Sequence, residues 1–100
     1  MYQREALSKV RAFKHLIQSH FDVERVYLFG SYARTQQHEE SDIDVAVVVR
    51  HSSGQFLEEI ALLWKLRREV DPRIEPLLFR KDHDPSGFLE EIQSSGLEVI

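Results

Sequence analysis

Gly30-Ser31 and Asp42-Ile43-Asp44 are separated by ten residues, and the two pieces supply complementary chemistry. Gly30 ends the apolar run Val26-Tyr27-Leu28-Phe29, where its freedom of φ allows a sharp turn and a close approach of backbone to a ligand. Ser31 is placed to cap a short helix over Tyr32-Ala33-Arg34-Thr35-Gln36, whose free N–H groups and partial positive charge would receive a phosphate. A second apolar run, Val45 to Val49, follows the acids directly. Side chains alternate along a strand, so Asp42 and Asp44 share one face while Ile43 faces the apolar layer. Two like charges side by side are unfavourable unless a cation lies between them, and carboxylate oxygens are the hard ligands magnesium prefers. Read singly, each piece also fits an ordinary serine cap or a solvated acidic edge. Taken together they predict an anion cradle facing metal-binding carboxylates.

The elements that must position these residues alternate between helix and strand, without repeats or low-complexity tracts. Ala6, Leu7, Val10, Phe13, Leu16, Ile17 and Phe21 recur at three- and four-residue steps and predict an amphipathic helix from about Arg4 to His20. The polar stretch 35–41 reads as an exposed loop at the mouth of the site. His51-Ser52-Ser53-Gly54-Gln55 precedes a second predicted helix, Phe56 to Val70, with Leu57, Ile60, Ala61 and Trp64 as its apolar stripe. Asp71-Pro72 ends that helix, because a residue before proline is pushed away from helical geometry. Arg73 to Phe79 is a third strand, Pro85-Ser86 opens a last helix, and Gly96 closes it. Leu97 to Ile100 fits either a short edge strand or a loosely packed tail.

Composition narrows the function. One hundred residues suit a single small domain, 1–100, with a real core and little chain for a separate recognition lobe. With 42% apolar and 30% charged residues, four Gly and three Pro, the chain is neither disordered nor fibrous. A net charge of −4 argues against extended nucleic-acid binding, which needs clustered Lys and Arg. The absence of cysteine removes disulfides and thiolate zinc sites. No run is long enough to span a membrane and the first residues carry no signal-peptide pattern, so a cytoplasmic location is expected. His15, His20, His38, His51 and His83 lack metal-ligand spacing and read as surface residues.

Gly30, Ser31, Asp42 and Asp44 resemble the signature of the minimal nucleotidyltransferases of the polymerase-beta superfamily: Gly-Ser, a spacer of this length, then Asp-x-Asp. The resemblance runs over nearly the whole chain. It implies a mixed α/β (α+β) palm-like fold, with helices packed on a sheet of three to four strands. It also implies transfer of a nucleoside monophosphate from ATP or another nucleoside triphosphate to an acceptor hydroxyl, assisted by two Mg2+ ions. Arg34 falls where such small proteins often carry an arginine, and its guanidinium suits the triphosphate. A further acid, usually Asp, is expected on the strand after the intervening helix. Here the candidate is Glu75, one methylene longer, with Asp71 as its competitor in the preceding turn. Arg73, beside the acidic strand, is open to pairing with a carboxylate or with phosphate. Proteins of this kind are frequently the antitoxin partner of a helical HEPN-domain protein, and in some cases adenylylate a tyrosine of it. Two other readings remain: a binding module that neutralises its partner sterically, and an enzyme that modifies a small molecule or an RNA end.

Overall fold

The computed structural model describes residues 1–36 and 41–100. Gln37, His38, Glu39 and Glu40, part of the polar stretch predicted to be a loop, lie outside the described residues. The first helix, α1, spans Gln3–Ile17 and buries Ala6, Val10, Phe13 and Ile17. Tyr2 at its N-cap makes no side-chain cap bond, a deficit of about 1 kcal/mol. Burying Phe13 and Ile17 contributes roughly 2 kcal/mol each, so tertiary packing outweighs the missing cap. The helix is three residues shorter than its predicted end, because a turn closed by the His20 and Phe21 N–H groups on the Ile17 carbonyl follows it.

Strand β1, Val23–Phe29, runs antiparallel to β2, Ile43–Val49. Helix α2, Phe56–Leu66, and a 3-10 turn, Arg67–Glu69, carry the chain across to β3, Ile74–Arg80, which pairs parallel with β2. Helix α3, Phe88–Ser95, returns it to a two-residue strand β4, Leu97–Glu98, antiparallel to β1. The sheet order is β3-β2-β1-β4. Of the two fates open to the last residues, the strand is realised and Val99 is buried after it, while Ile100 stays exposed. The Val99 N–H donates to the Val26 carbonyl, and the Lys14 ammonium to the Val99 carbonyl.

One sheet face is covered by α1 and α2, with Val26, Leu28, Ile43, Val45, Val47 and Ile74 in the shared core. The other face carries Tyr27, Ala46 and Val48 beneath Leu89 and Ile92 of α3. The predicted stripe of α2 is displaced: Leu63 and Leu66 are buried, whereas Leu57 is 81% exposed and Ala61 is exposed. Periodicity alone is a weak guide there, because Leu, Ile, Ala and Trp occur on several sides of this helix.

Helix α3 begins at Phe88, after Gly87, and Asp84 joins Ser86 in capping it: the Ser86 hydroxyl accepts from the Phe88 N–H at 3.2 Å. The Asp84 carboxylate accepts from the Leu89 and Glu90 N–H groups at 3.0 and 2.9 Å. Gly96 ends the helix as expected. A Cβ there would lie 2.7 Å from the Ile92 carbonyl oxygen and 2.8 Å from that of Leu28, so only glycine lets helix end and sheet approach so closely.

Candidate active site

Asp44 and Glu75 are neighbours because β2 and β3 run parallel with Asp44 opposite Glu75 and Ile43 opposite Ile74. The isoleucines are fully buried under α1 and α2, and alternation sends both acids to the other sheet face. Phe29, the last residue of β1, stands opposite Asp44 on the other side of β2. Asp42 lies one step before the strand, exposed and close enough to interact with both other acids.

The next residue, Gly30, has φ +72, and a Cβ at this position would fall 2.1 Å from Asp44 Oδ2. The carboxylate therefore occupies the space any other side chain would need. This close approach ties the Gly-Ser turn to the acids more directly than the spacing alone implied. The predicted helix after Ser31 is not formed among the described residues. Residues 31–35 are a succession of turns, held by bonds from the Arg34 N–H to the Gly30 carbonyl and from the Gln36 N–H to the Ser31 carbonyl. Thr35 at φ +56 is incompatible with a right-handed helix. Gln3 of α1 holds the turn from outside, donating to the Tyr32 carbonyl at 2.8 Å. Nothing in the sequence distinguished Gln3 from other polar residues at a helix start.

Burial, and then the charge of Asp42, push the Asp44 carboxyl above its ordinary pKa, while the Arg34 guanidinium opposes the rise. Glu75 is raised in the same sense, by burial first, then by a hydrogen bond with Asp42 and by the charges of Asp42 and Asp44. Arg67 works against that rise. Arg34 and Arg67 offset only part of this crowding of negative charge in the cluster. All of its donors are hard oxygens, and such a set fits a divalent cation like magnesium. Among the described residues, no three His, Cys, Asp or Glu side chains already stand together in ligating geometry.

The competitor, Asp71, has a different environment. It is 5% exposed, accepts from the Arg73 backbone N–H at 2.8 Å, and pairs with the Arg73 guanidinium at 2.8 Å and Lys9 at 3.0 Å. Hydrogen bonding by Arg73 holds its carboxyl far below the usual range. Of the two pairings open to Arg73, the carboxylate is the one observed. Trp64 is half-buried, donating from Nε1 to the Pro76 carbonyl at 3.2 Å. Arg67, which its charged neighbours made look like part of a solvated face, stacks on Trp64 at 4.5 Å and donates to the Pro72 and Ile74 carbonyls. His15, His20, His51 and His83 are exposed, as their spacing suggested.

A glycine turn pressed against Asp44, with Glu75 beside it on the same sheet face and Asp42 within electrostatic reach, is an arrangement suited to nucleotide chemistry. The chain belongs to the polymerase beta nucleotidyltransferase family, whose model matches residues 12–100. Two proteins of Methanocaldococcus jannaschii are similar to it over most of both chains. The candidate protein adenylyltransferase MJ0141 is 36% identical over 77% of this chain and 79% of its own length. The corresponding values for MJ1379, also a candidate protein adenylyltransferase, are 31%, 76% and 77%. A crystal structure of a candidate nucleotidyltransferase from Sulfolobus solfataricus shares the fold with TM-score 0.70 at 20% identity, covering 96% of this chain and 80% of that one. A toxin-antitoxin structure with AMP-PNP shares it with TM-score 0.67 at 23% identity, covering 92% and 72%. The nucleotidyltransferase fold and family implied by the signature residues are thus established.

Proposed function

We propose that the protein transfers the AMP part of ATP to a hydroxyl of a partner protein, with magnesium held by Asp42, Asp44 and Glu75. The observation that carries this reading is the register pairing of Asp44 with Glu75 beside a glycine turn that only the absence of a Cβ allows. Gly30 and Ser31 bind the β- and γ-phosphates through backbone N–H groups and hydroxyl, and Arg34 adds a cation at the exposed rim. Asp42 and Asp44 would hold the cation beside the triphosphate, and Glu75 serves the acceptor side. There the acceptor oxygen bonds to the α-phosphorus, the bond to the β-phosphate breaks, and pyrophosphate leaves with the electron pair. The hydroxyl proton passes to Glu75. Bound magnesium would supply charge neutralisation on the phosphate oxygens.

The similarity to candidate protein adenylyltransferases supports a protein as the acceptor, and the toxin-antitoxin neighbour supports a toxin as that protein. The resemblance noted for the signature residues favours a HEPN-domain protein in this role, with the chain as antitoxin. Titration calorimetry tests the metal-bridged site. ATP should bind with magnesium and lose most of its affinity in excess chelator, because the acids repel bare phosphate. Equal affinity in chelator would overturn the model.

Steric neutralisation without catalysis is the second reading, and the glutamate at the third acidic position favours it. The double substitution Asp42→Asn with Asp44→Asn separates the two. Loss of both AMP transfer and partner neutralisation is expected for the enzyme, and full neutralisation by the variant for the binding module.

A further inference from the structure

Directly beyond Glu75 the edge of the sheet becomes apolar. Pro76 and Leu77 of β3, Trp64 and Phe56 of α2, and Phe79 and Phe88 line a groove of about 360 Å³ that wraps around the β3 edge. Among the described residues, its lining contains no charged side chain. Leu77 is 39% and Phe88 40% exposed, values that leave large apolar surface facing water. The groove is continuous with the acids at two places. Leu77 lies two residues along β3 from Glu75 on the same sheet face. Phe88 meets Phe29, the register partner of Asp44, edge-to-face at 5.9 Å, and Phe79 at 6.2 Å.

The chemistry of the groove restricts its occupant. An added β-strand needs outward-facing N–H and C=O groups, but Pro76 has no N–H and its carbonyl accepts from Trp64. The Ile74 carbonyl accepts from Arg67. Strand addition, including edge-to-edge pairing with a second copy, is therefore blocked along the part of β3 nearest the acids. A nucleic-acid acceptor would need a basic track where the groove offers aromatic and aliphatic surface. The cations that remain stand at the rim: Arg80 over Phe56 at 5.4 Å and Arg67 over Trp64 at 4.5 Å.

We propose that this groove docks an amphipathic helix of the acceptor protein, apolar stripe inward and acidic flank toward the Arg80 rim, and thereby delivers a nearby hydroxyl to Glu75. Helix-in-groove docking uses side-chain burial and asks nothing of the backbone groups that Pro76 lacks and that Trp64 and Arg67 occupy. The inference rests on the transfer reading above and assigns its acceptor class.

The test uses the full chain with ATP and magnesium and three acceptors, with products read by mass spectrometry. The first is a helical peptide with a leucine stripe, a glutamate flank, one tyrosine and one serine. The second is a peptide of the same composition with the stripe scrambled. The third is N-acetyltyrosinamide, which is too small to fill the groove. The striped peptide should be labelled with a kcat/KM roughly thirtyfold above the scrambled one, as expected for seating a buried apolar anchor. Leu77→Asp and Phe88→Asp should erase that advantage, bringing the two peptides to equal kcat/KM relative to N-acetyltyrosinamide with the same variant; Leu57→Asp, outside the groove, should preserve it. Equal labelling of the two peptides, or an advantage that survives both groove substitutions, overturns the docking proposal alone. Absence of AMP transfer to the striped peptide likewise overturns the docking proposal, whereas ATP binding that magnesium does not strengthen overturns the transfer reading beneath it. Labelling of a single-stranded RNA oligonucleotide in preference to the striped peptide, or a dimer in light scattering that Phe88→Asp dissociates, would assign the groove to another occupant and also overturn the proposal.

Discussion

Asp71 and Glu75 stand four residues apart, on either side of the start of β3, and their charges are treated in opposite ways. Asp71 is buried among donors from Arg73 and Lys9, so its ionised form is favoured by the fold. Glu75 shares its space with Asp42 and Asp44, so its ionised form is disfavoured. The fold satisfies the first charge completely and leaves the second in want of a cation. That contrast separates a carboxylate that anchors a connection from one available to a ligand, although both are acids near the same strand end.

The largest effect should come from removing the unsatisfied charge. Glu75→Gln should cut AMP transfer by roughly a hundredfold or more while ATP affinity, which depends chiefly on Asp42, Asp44 and Ser31, stays within about threefold. The folded state should not lose stability, since one member of a repelling cluster has been neutralised. Steady-state kinetics beside calorimetry reads both. A proportional loss of binding and turnover would place Glu75 with the triphosphate instead of the acceptor.

Asp71→Asn should do the reverse. Loss of a buried, doubly paired carboxylate costs about 2 kcal/mol, or roughly 10 °C in Tm for a chain of this size, while turnover measured well below Tm changes less than about twofold. The pH dependence has a definite sign. Because the folded pKa of Asp71 is depressed, its contribution is fully present above the ordinary value of 3.8 and is lost as pH falls through the folded value. Denaturant titrations of wild type and variant should therefore converge in acid and diverge toward neutral pH. Asp44 and Glu75, with raised pKa, act with the opposite sign in the metal-free protein: their stabilising effect is present at low pH and is lost as pH rises through the raised values. An activity loss at Asp71→Asn with unchanged Tm would reverse the two assignments.

The smallest effect is expected at Tyr32, behind the glycine turn. Its hydroxyl is fully buried and has no hydrogen-bond partner among the described residues, so Tyr32→Phe should leave stability unchanged or raise it by up to about 1 kcal/mol. Destabilisation by more than that in thermal unfolding would mean the hydroxyl does hold the turn, adding a second satisfied polar group to the side of the comparison that Asp71 now occupies alone.

The nucleotide-handling pattern was legible in the chain because it depends on short-range rules. A strand that stops at Gly30 and a strand entered through Asp42-Ile43-Asp44 put the turn and the acids where local alternation requires. The order of helices and strands was legible for the same reason. Helix ends were less so. Asp84 caps α3 from four residues before its start, a reach that no local cap rule encodes, and Thr35 adopts a left-handed conformation that its residue type does not favour.

What the sequence by itself determined is which residues carry charge, which faces are apolar and where the backbone must turn, all properties of neighbours within a few positions. Tertiary structure alone decided which of these meet. The parallel register of β2 and β3 makes partners of Asp44 and Glu75, thirty-one positions apart. The missing Cβ of Gly30 lets the carboxylate of Asp44 close in, the burial of α2 turns Leu63 inward and Leu57 outward, and Arg67 leaves its charged neighbours to brace the start of β3. Such meetings arise from the simultaneous packing of elements distant in sequence. Their free energies are comparable to the local preferences they override, so only the assembled core selects among them.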